Sequence, residues 1–500
     1  MSEKAKKGFK MPSSYTVLMI IIAIMAVLTW IIPAGQYDAD KSGNLITGTY
    51  KTVAQNPQGI WDVLMAPIRA MLGKEPTSAA IDVAFFILMV GGFLGVVNET
   101  GALDVGIASI VKKYKGREKM LILVLMPLFA LGGSTYGMGE ETMAFYPLLV
   151  PVMMAVGFDS LTAVAIILLG SQIGCLASTL NPFATGIASA TAGVGTGDGI
   201  VLRLIFFVVM TALGTYFVYR YADKIQKDPT KSLVYSNREE DLKHFNVDAV
   251  ANVESTLSKK QKQVLVFFVL TFVLMIMSFI PWTDLNVHVF ENFNKWLIGI
   301  PVIGKIVGTS TSALGTWYFP EGAMLFAVMG IIIGFVYRMK EDRFITVFIN
   351  GAADLLGVAL IVAVARGIQV IMNDGMITAT ILHWGEVGLK GLSSQVFIVL
   401  TYIFYLPMSF LIPSTSGLAS ATMGIMAPLG KFVNVPASLI ITAYQSASGL
   451  LNLVTPTSGI VMGALALGRI DLGTWWKFVA KLVAGIFVVS ILLLILGTFL

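Results

Sequence analysis

The chain has 500 residues, of which 56% are hydrophobic and only 13% charged, and its mean hydropathy is +0.81. Soluble domains carry about 25% charged and about 45–50% apolar residues, so a soluble multi-domain protein is excluded and a polytopic membrane protein is indicated. The net charge of +5 then says nothing of nucleic acid, because lysines and arginines that hold cytoplasmic loops give membrane proteins a basic surplus. The single cysteine, Cys175, cannot form an intrachain disulfide. His244, His288 and His383 fall in expected loops far apart in sequence, so no metal site and no cofactor are expected.

About 20 apolar residues cross a hydrocarbon core, and the candidates follow in chain order. The basic start Met1–Lys10 leads into an apolar run at 16–32, which ends in Ile-Pro-Ala-Gly-Gln and reads as a retained first span rather than a cleaved leader. An amphipathic stretch at 60–72 suits the interface. A span at 79–97 precedes 121–157, which has two apolar arms and a polar tip, and 161–194, which carries a polar Pro-bearing break. After the span 201–219 comes 220–262, a hydrophilic linker between two halves, 1–219 and 263–500. The second half holds spans at 263–280, 319–337, 352–372 and 479–499, another two-armed segment at 395–435 and another broken run at 437–468.

Basic residues orient these spans. Lys4, Lys6, Lys7 and Lys10 keep the N-terminus cytoplasmic, as Lys112, Lys113, Lys115, Arg117 and Lys119 keep the next loop. Were 121–157 to cross once, the lysines of 220–262 would lie outside. A re-entrant hairpin keeps them inside, and the same reasoning makes 395–435 a hairpin entering from the outer face. The expectation is an all-α polytopic cell-membrane protein with about nine spans, two re-entrant hairpins and two broken helices, and with its C-terminus outside.

The halves are related. Residues 134–143 read STYGMGEETM and 414–423 read STSGLASATM, both Ser-Thr-x-Gly-x4-Thr-Met. GFLGVVNETG (92–101) matches GIQVIMNDG (367–375), and Gln172 before TLNPFATG (179–186) matches Gln445 before VTPTSG (454–459). Ile32-Pro33 and Ile280-Pro281 each end a first span. Since 79–97 runs inward and 352–372 outward, the repeat is inverted in topology, as in secondary transporters whose substrate site lies at the midplane where broken helices meet.

Four polar segments converge there. Hairpin one offers Ser134, Thr135, Tyr136, Glu140 and Glu141, and the first helix break Ser178, Thr179 and Asn181. Hairpin two offers Ser414, Thr415 and Ser416, and the second break Asn452, Thr455, Thr457 and Ser458. Non-helical backbone at membrane depth is tolerated only when buried in protein or lining a watery cavity, and hydroxyls and amides add donors and acceptors without a buried charge. The same small residues also allow helices to pack closely.

Glu140 and Glu141 are the sharper clue. Two adjacent acids at a hairpin tip suit a guanidinium or ammonium group, although one can serve instead as a proton site or pair with Arg366. Arg366, deep in an apolar run where the first half has Gly91, is read either as a ligand of a substrate carboxylate or as a structural ion-pair partner. Asp82, Asp354 and Glu321 are expected to anchor span ends at the interface, and Asn98 and Asn373 to terminate helices.

IPAGQY (32–37), GGSTYGMGEETMAFYP (132–147), ASTLNPFATGIAS (177–189), IPSTSGLASATMGIMAPL (412–429) and NLVTPTSG (452–459) resemble the four-carbon dicarboxylate anaerobic carrier (YfcC-like) family of the ion transporter superfamily. Within it, MSEKAKKGFKMPSSYTV and MNDGMIT (372–378) are similar to the antiporters of arginine deiminase pathways. The resemblance implies an inverted-repeat fold, commonly dimeric, and exchange of external L-arginine for internal L-ornithine. Sodium-coupled members of the superfamily carry Ser-Asn-Thr at the tips. Here the tips read Gly-Ser-Thr-Tyr and Pro-Ser-Thr-Ser, and no sodium site is expected. A sodium- or proton-coupled carboxylate or peptide symporter is the alternative on the same scaffold. An intramembrane enzyme would need a nucleophile–base pair, a metal cluster or paired aspartates within the spans, and the sequence offers none.

Overall fold

A computed structural model describes residues 14–39, 45–73, 79–103, 105–106, 116–245, 247, 257–280, 282–283, 287–308, 310–389, 391–431 and 433–499. The side chains of Ser14, Tyr136, Pro182, Phe279 and Val358 lie outside that description, as do Lys4, Lys6, Lys7, Lys10, Lys112, Lys113, Lys115 and Pro281. The first half contains α1 (Ser14–Ile31), the paired dipeptides β1 (Gly35–Gln36) and β2 (Lys51–Thr52), α2 (Ile60–Leu72), α3 (Ile81–Glu99), α4 (Met120–Tyr136), α5 (Tyr146–Ala155), α6 (Ser160–Leu176), α7 (Ile187–Ala192) and α8 (Ile200–Lys227). The short α9 (Arg238–His244) precedes α10 (Lys259–Phe279), α11 (Val289–Gly299), α12 (Ile303–Val307), α13 (Phe319–Tyr337), α14 (Glu341–Asp354) and α15 (Leu356–Asp374). The chain continues through α16 (Ile377–Gly388), α17 (Ser394–Leu411), α18 (Thr415–Lys431), α19 (Ala437–Leu451), α20 (Gly459–Leu467) and α21 (Leu472–Gly497).

This is an all-α polytopic membrane protein. Among the described residues seven helices are long and apolar enough to cross a bilayer. The expected span 352–372 is the second part of a longer run, Glu341–Asp354 and Leu356–Asp374, interrupted at Leu355. Ser394–Leu411, expected as half a hairpin, is itself long enough to span, whereas the first apolar helix, Tyr15–Ile31, is one of the shorter ones. The hairpins are α4–α5 and α17–α18. The broken helices are α6–α7 and α19–α20.

Local chemistry explains the helix starts. Asp159 caps α6 by accepting from Thr162 N at 2.8 Å, and Asp471 does the same for α21 through Thr474 N at 2.8 Å. Ser258 and Gln261 form a reciprocal capping box on α10. Glu321 accepts from Tyr318 N at 2.9 Å; it caps α13, a more specific task than the interfacial anchoring expected of it. His383 lies inside α16 and not in a loop. Its ring stacks on Tyr50 at 4.0 Å and its Nδ1 lies 3.2 Å from Glu386 Oε2, which draws the segment between α1 and α2 across α16.

The repeat is visible as reciprocal packing. α3 of the first half lies against α13 and α14 of the second, and α15 of the second lies against α1 and α2 of the first. In this packing α13 and α14 stand to α3 as α1 and α2 stand to α15, and α10 packs on α13. Glycine makes the crossings close. A Cβ on Gly91 would stand 2.4 Å from the Gly351 carbonyl oxygen and one on Gly351 2.3 Å from that of Gly91. Gly92 meets Phe348 of α14 as Gly367 meets Pro67 of α2. Hairpin arm α4 packs on α6 as α17 packs on α19, and α18 reaches across to α7.

Gly351→Val should prevent the α3–α14 approach. The expected outcome is destabilisation by at least about 1–3 kcal/mol, as for overpacked cores, read as a lowered thermal-unfolding midpoint in detergent.

Candidate substrate site

The four interruptions of helix meet around one cavity of about 310 Å³. One side is formed by the hairpin tips and helix breaks: Gly137, Gly139, Glu140, Glu141, Asn181, Phe183, Ser414–Ser416 and Thr457–Ile460. The other side comes from Ala79, Asp82 and Val83 at the start of α3, from Val362, Ala365 and Arg366 on α15, and from Tyr318 and Phe319. Gln172 and Cys175 reach it from the C-terminal end of α6.

Each interruption is held by hydrogen bonds that replace the missing helical ones. α4 stops because Gly137 turns left-handed (φ 81°), and a Cβ there would overlap Asn181. Thr179 N donates to Ser134 O at 2.9 Å, and Ser134 Oγ donates to Ala177 O at 2.8 Å. Asn181 Oδ1 accepts from Phe183 N and Ala184 N at 2.9 and 3.1 Å, starting the helical turn that leads into α7. Glu141, 2% exposed, accepts from Gly139 N at 2.8 Å. On the second hairpin Ser414 Oγ accepts from Gly417 N at 3.2 Å, and Tyr444 donates to Thr415 O at 2.6 Å. At the second break the Trp475 and Trp476 indoles donate to the Leu453 and Val454 carbonyls, each at 2.8 Å. Gln445 joins the halves: its Nε2 donates to Ser178 O at 2.8 Å, and its Oε1 accepts from Thr185 at 2.8 Å.

Residues 11–499 match the family model described as C4-dicarboxylate anaerobic carrier. The chain belongs to that family. The carrier is 31% identical to an uncharacterised protein of Haemophilus influenzae, over 99% of this chain and 98% of the relative. It is 27% identical to the putative basic amino acid antiporter YfcC of Escherichia coli, over 97% and 96%. Among solved structures, Neisseria gonorrhoeae MtrF, from a class of antimetabolite efflux pumps, matches with TM-score 0.45 at 17% identity over 98% of this chain and 95% of its own. The Alcanivorax borkumensis YdaH transporter matches with TM-score 0.42 at 16% identity over 97% and 98%. The carrier is thus a membrane transporter and not an enzyme.

Nine of the expected site residues line the cavity of this carrier: Glu140, Glu141, Asn181, Arg366, Ser414, Thr415, Ser416, Thr457 and Ser458. Six do not, and each departure has a physical cause. Ser134 and Thr179 use their polar atoms on each other and on the adjoining backbone. Ser178 turns to Thr185, with the oxygens 2.7 Å apart. Thr135 donates to Leu131 O within its own helix and faces an apolar groove. Thr455 pairs with Thr457 at 2.7 Å. Asn452 is buried at the end of α19, away from the cavity. The Tyr136 side chain is among those outside the description.

Sequence reasoning missed Asp82 and Gln172. Asp82 was expected at the interface. It lines the cavity, because the start of α3 borders that space beside Ala79, whose carbonyl accepts from Arg366 at 2.6 Å. Arg366 interacts electrostatically with Glu140 and Asp82. Gln172 had a signal, since it is a large polar residue inside an otherwise apolar run and already marks the repeat. Among the described residues no three His, Cys, Asp or Glu side chains are grouped to hold a metal ion.

Gln445→Leu should leave the Ser178 carbonyl without its side-chain donor and the Thr185 hydroxyl with only its Ser178 contact. A loss of about 1–3 kcal/mol is expected, together with faster amide exchange across 177–186 in hydrogen-exchange mass spectrometry.

Proposed function

We propose that this chain exchanges extracellular L-arginine for intracellular L-ornithine by alternating access. The observation that carries the reading is the charge of the cavity, where three carboxyl side chains, Asp82, Glu140 and Glu141, stand against one guanidinium, Arg366. In a cavity within the protein an acid surplus favours a substrate with a positive net charge. Arginine and ornithine each carry about +1 near neutral pH, two cationic groups against one carboxylate. The E. coli relative's name, a putative basic amino acid antiporter, supports the same substrate class.

In this reading Glu140 and Glu141 receive the substrate's cation, and the hydroxyls of Ser414–Ser416, Thr457 and Ser458 contact the rest of the molecule. One-for-one exchange of equally charged substrates moves no net charge and requires no ion gradient. It requires only that the empty carrier reorient poorly. Arg366 offsets part of the acid surplus when the cavity is empty, and the uncompensated remainder makes reorientation costly until a cationic substrate arrives. The basic loops support a cytoplasmic N-terminus and an extracellular C-terminus, and the family resemblance supports a homodimer.

A second reading, coupled carboxylate transport, is favoured by Arg366 and by the family description. Proteoliposomes preloaded with ornithine separate the two. Exchange predicts uptake of labelled arginine without a sodium or proton gradient. Uptake of succinate but not arginine would establish the second reading. Glu140→Gln and Glu141→Gln should each raise the apparent KM for arginine by about tenfold or more, the loss expected for a charge-assisted hydrogen bond. If both variants keep wild-type KM, the acids are structural.

A further inference from the structure

Gln172 lies one turn before the end of α6, a helix buried along almost its whole length. Its side chain is 1% exposed and faces the cavity, yet its Nε2 finds no hydrogen-bond partner among the described residues. A buried amide donor without an acceptor is expensive to maintain, and a ligand in the cavity would complete its bond.

The repeat sharpens this. Gln445 is the counterpart of Gln172 on α19, and both ends of its carboxamide are engaged by the opposite half, through Ser178 O and Thr185 Oγ1. The corresponding position of the second break, near Ser458, is part of the cavity lining. One glutamine of the pair thus ties the two halves together, while the other is left open toward the substrate space. Its free group is an N–H donor, and the acceptor that an amino acid offers most strongly is its carboxylate. Cys175, one helical turn further along the same face, lines the same cavity as Glu140 and Glu141. A donor and two acids are therefore close together, an arrangement that suits a carboxylate adjacent to an ammonium group.

We infer that Gln172 is a substrate ligand whose Nε2 donates to the substrate's carboxylate while the neighbouring acids take its positive charge. The identity of the substrate rests on the exchange reading above. The ligand role rests on the burial and open valence of Gln172.

The test compares arginine with agmatine, which has both cationic groups but no carboxylate, on the full chain in proteoliposomes. In Gln172→Leu the apparent KM for arginine should rise about tenfold or more, whereas the inhibition constant of agmatine should stay within about twofold. Gln172→Glu, similar in shape but repelling a carboxylate, should shift the arginine-to-agmatine ratio at least as far. Gln445→Leu should lower stability without moving that ratio. Equal weakening of arginine and agmatine in the Gln172 variants, no change in either, or an equal ratio shift in Gln445→Leu would each overturn the inference. If wild type takes up succinate and not arginine, the exchange reading fails by itself. Succinate affinity then decides the ligand role: a loss of about tenfold in Gln172→Leu upholds it and an unchanged value removes it.

Discussion

Backbone N–H and C=O groups cannot be left unpaired within a bilayer, and this constraint shapes the centre of the carrier. The chain interrupts its helices at four places around a single cavity. Every interruption exposes polar backbone that water would satisfy at a protein surface. Here the partners come from neighbouring elements: Ser134 and Thr179 across the first hairpin and break, Asn181 at the start of the turn into α7, Tyr444 at the second tip, and two adjacent tryptophans at the second break. Because each interruption is satisfied by a different element, the hairpins and broken helices must assemble together, and the cavity results from that assembly.

The inverted repeat makes this assembly possible from one structural plan used twice. α3 and α15 each pack against two helices of the opposite half, with glycines at the closest approaches. Departures from the symmetry coincide with the cavity. Arg366 stands where the first half has Gly91, the acids Glu140 and Glu141 occupy one tip, and hydroxyls occupy the other. Gln172 is open where Gln445 is tied. A symmetric scaffold supplies the stability, and the asymmetric substitutions supply the chemistry.

Much of the architecture was legible in the chain because its signals are local. Apolar length marks spans, Pro and Gly mark breaks, basic residues mark loops, and repeated blocks mark the two halves. The assignment of polar residues was less legible. Ser134, Ser178, Thr179 and Thr455 have the same composition and setting as Ser414 and Thr457, yet only the latter two line the cavity. Asp82 looked like an interfacial anchor because it lies near a span end, but the start of α3 lies beside the cavity.

The sequence by itself determined the membrane class, the all-α fold, the two hairpins, the two helix breaks and the location of a charged centre, since all of these follow from hydropathy, helix-breaking residues and charges within apolar runs. Tertiary structure decided which side chains face the cavity, that Asp82 and Gln172 join them, and that Arg366 shares that cavity with Asp82 and Glu140. The reason is physical. A hydroxyl or amide can satisfy a broken backbone or face a ligand, and that choice depends on a neighbour supplied by another part of the chain.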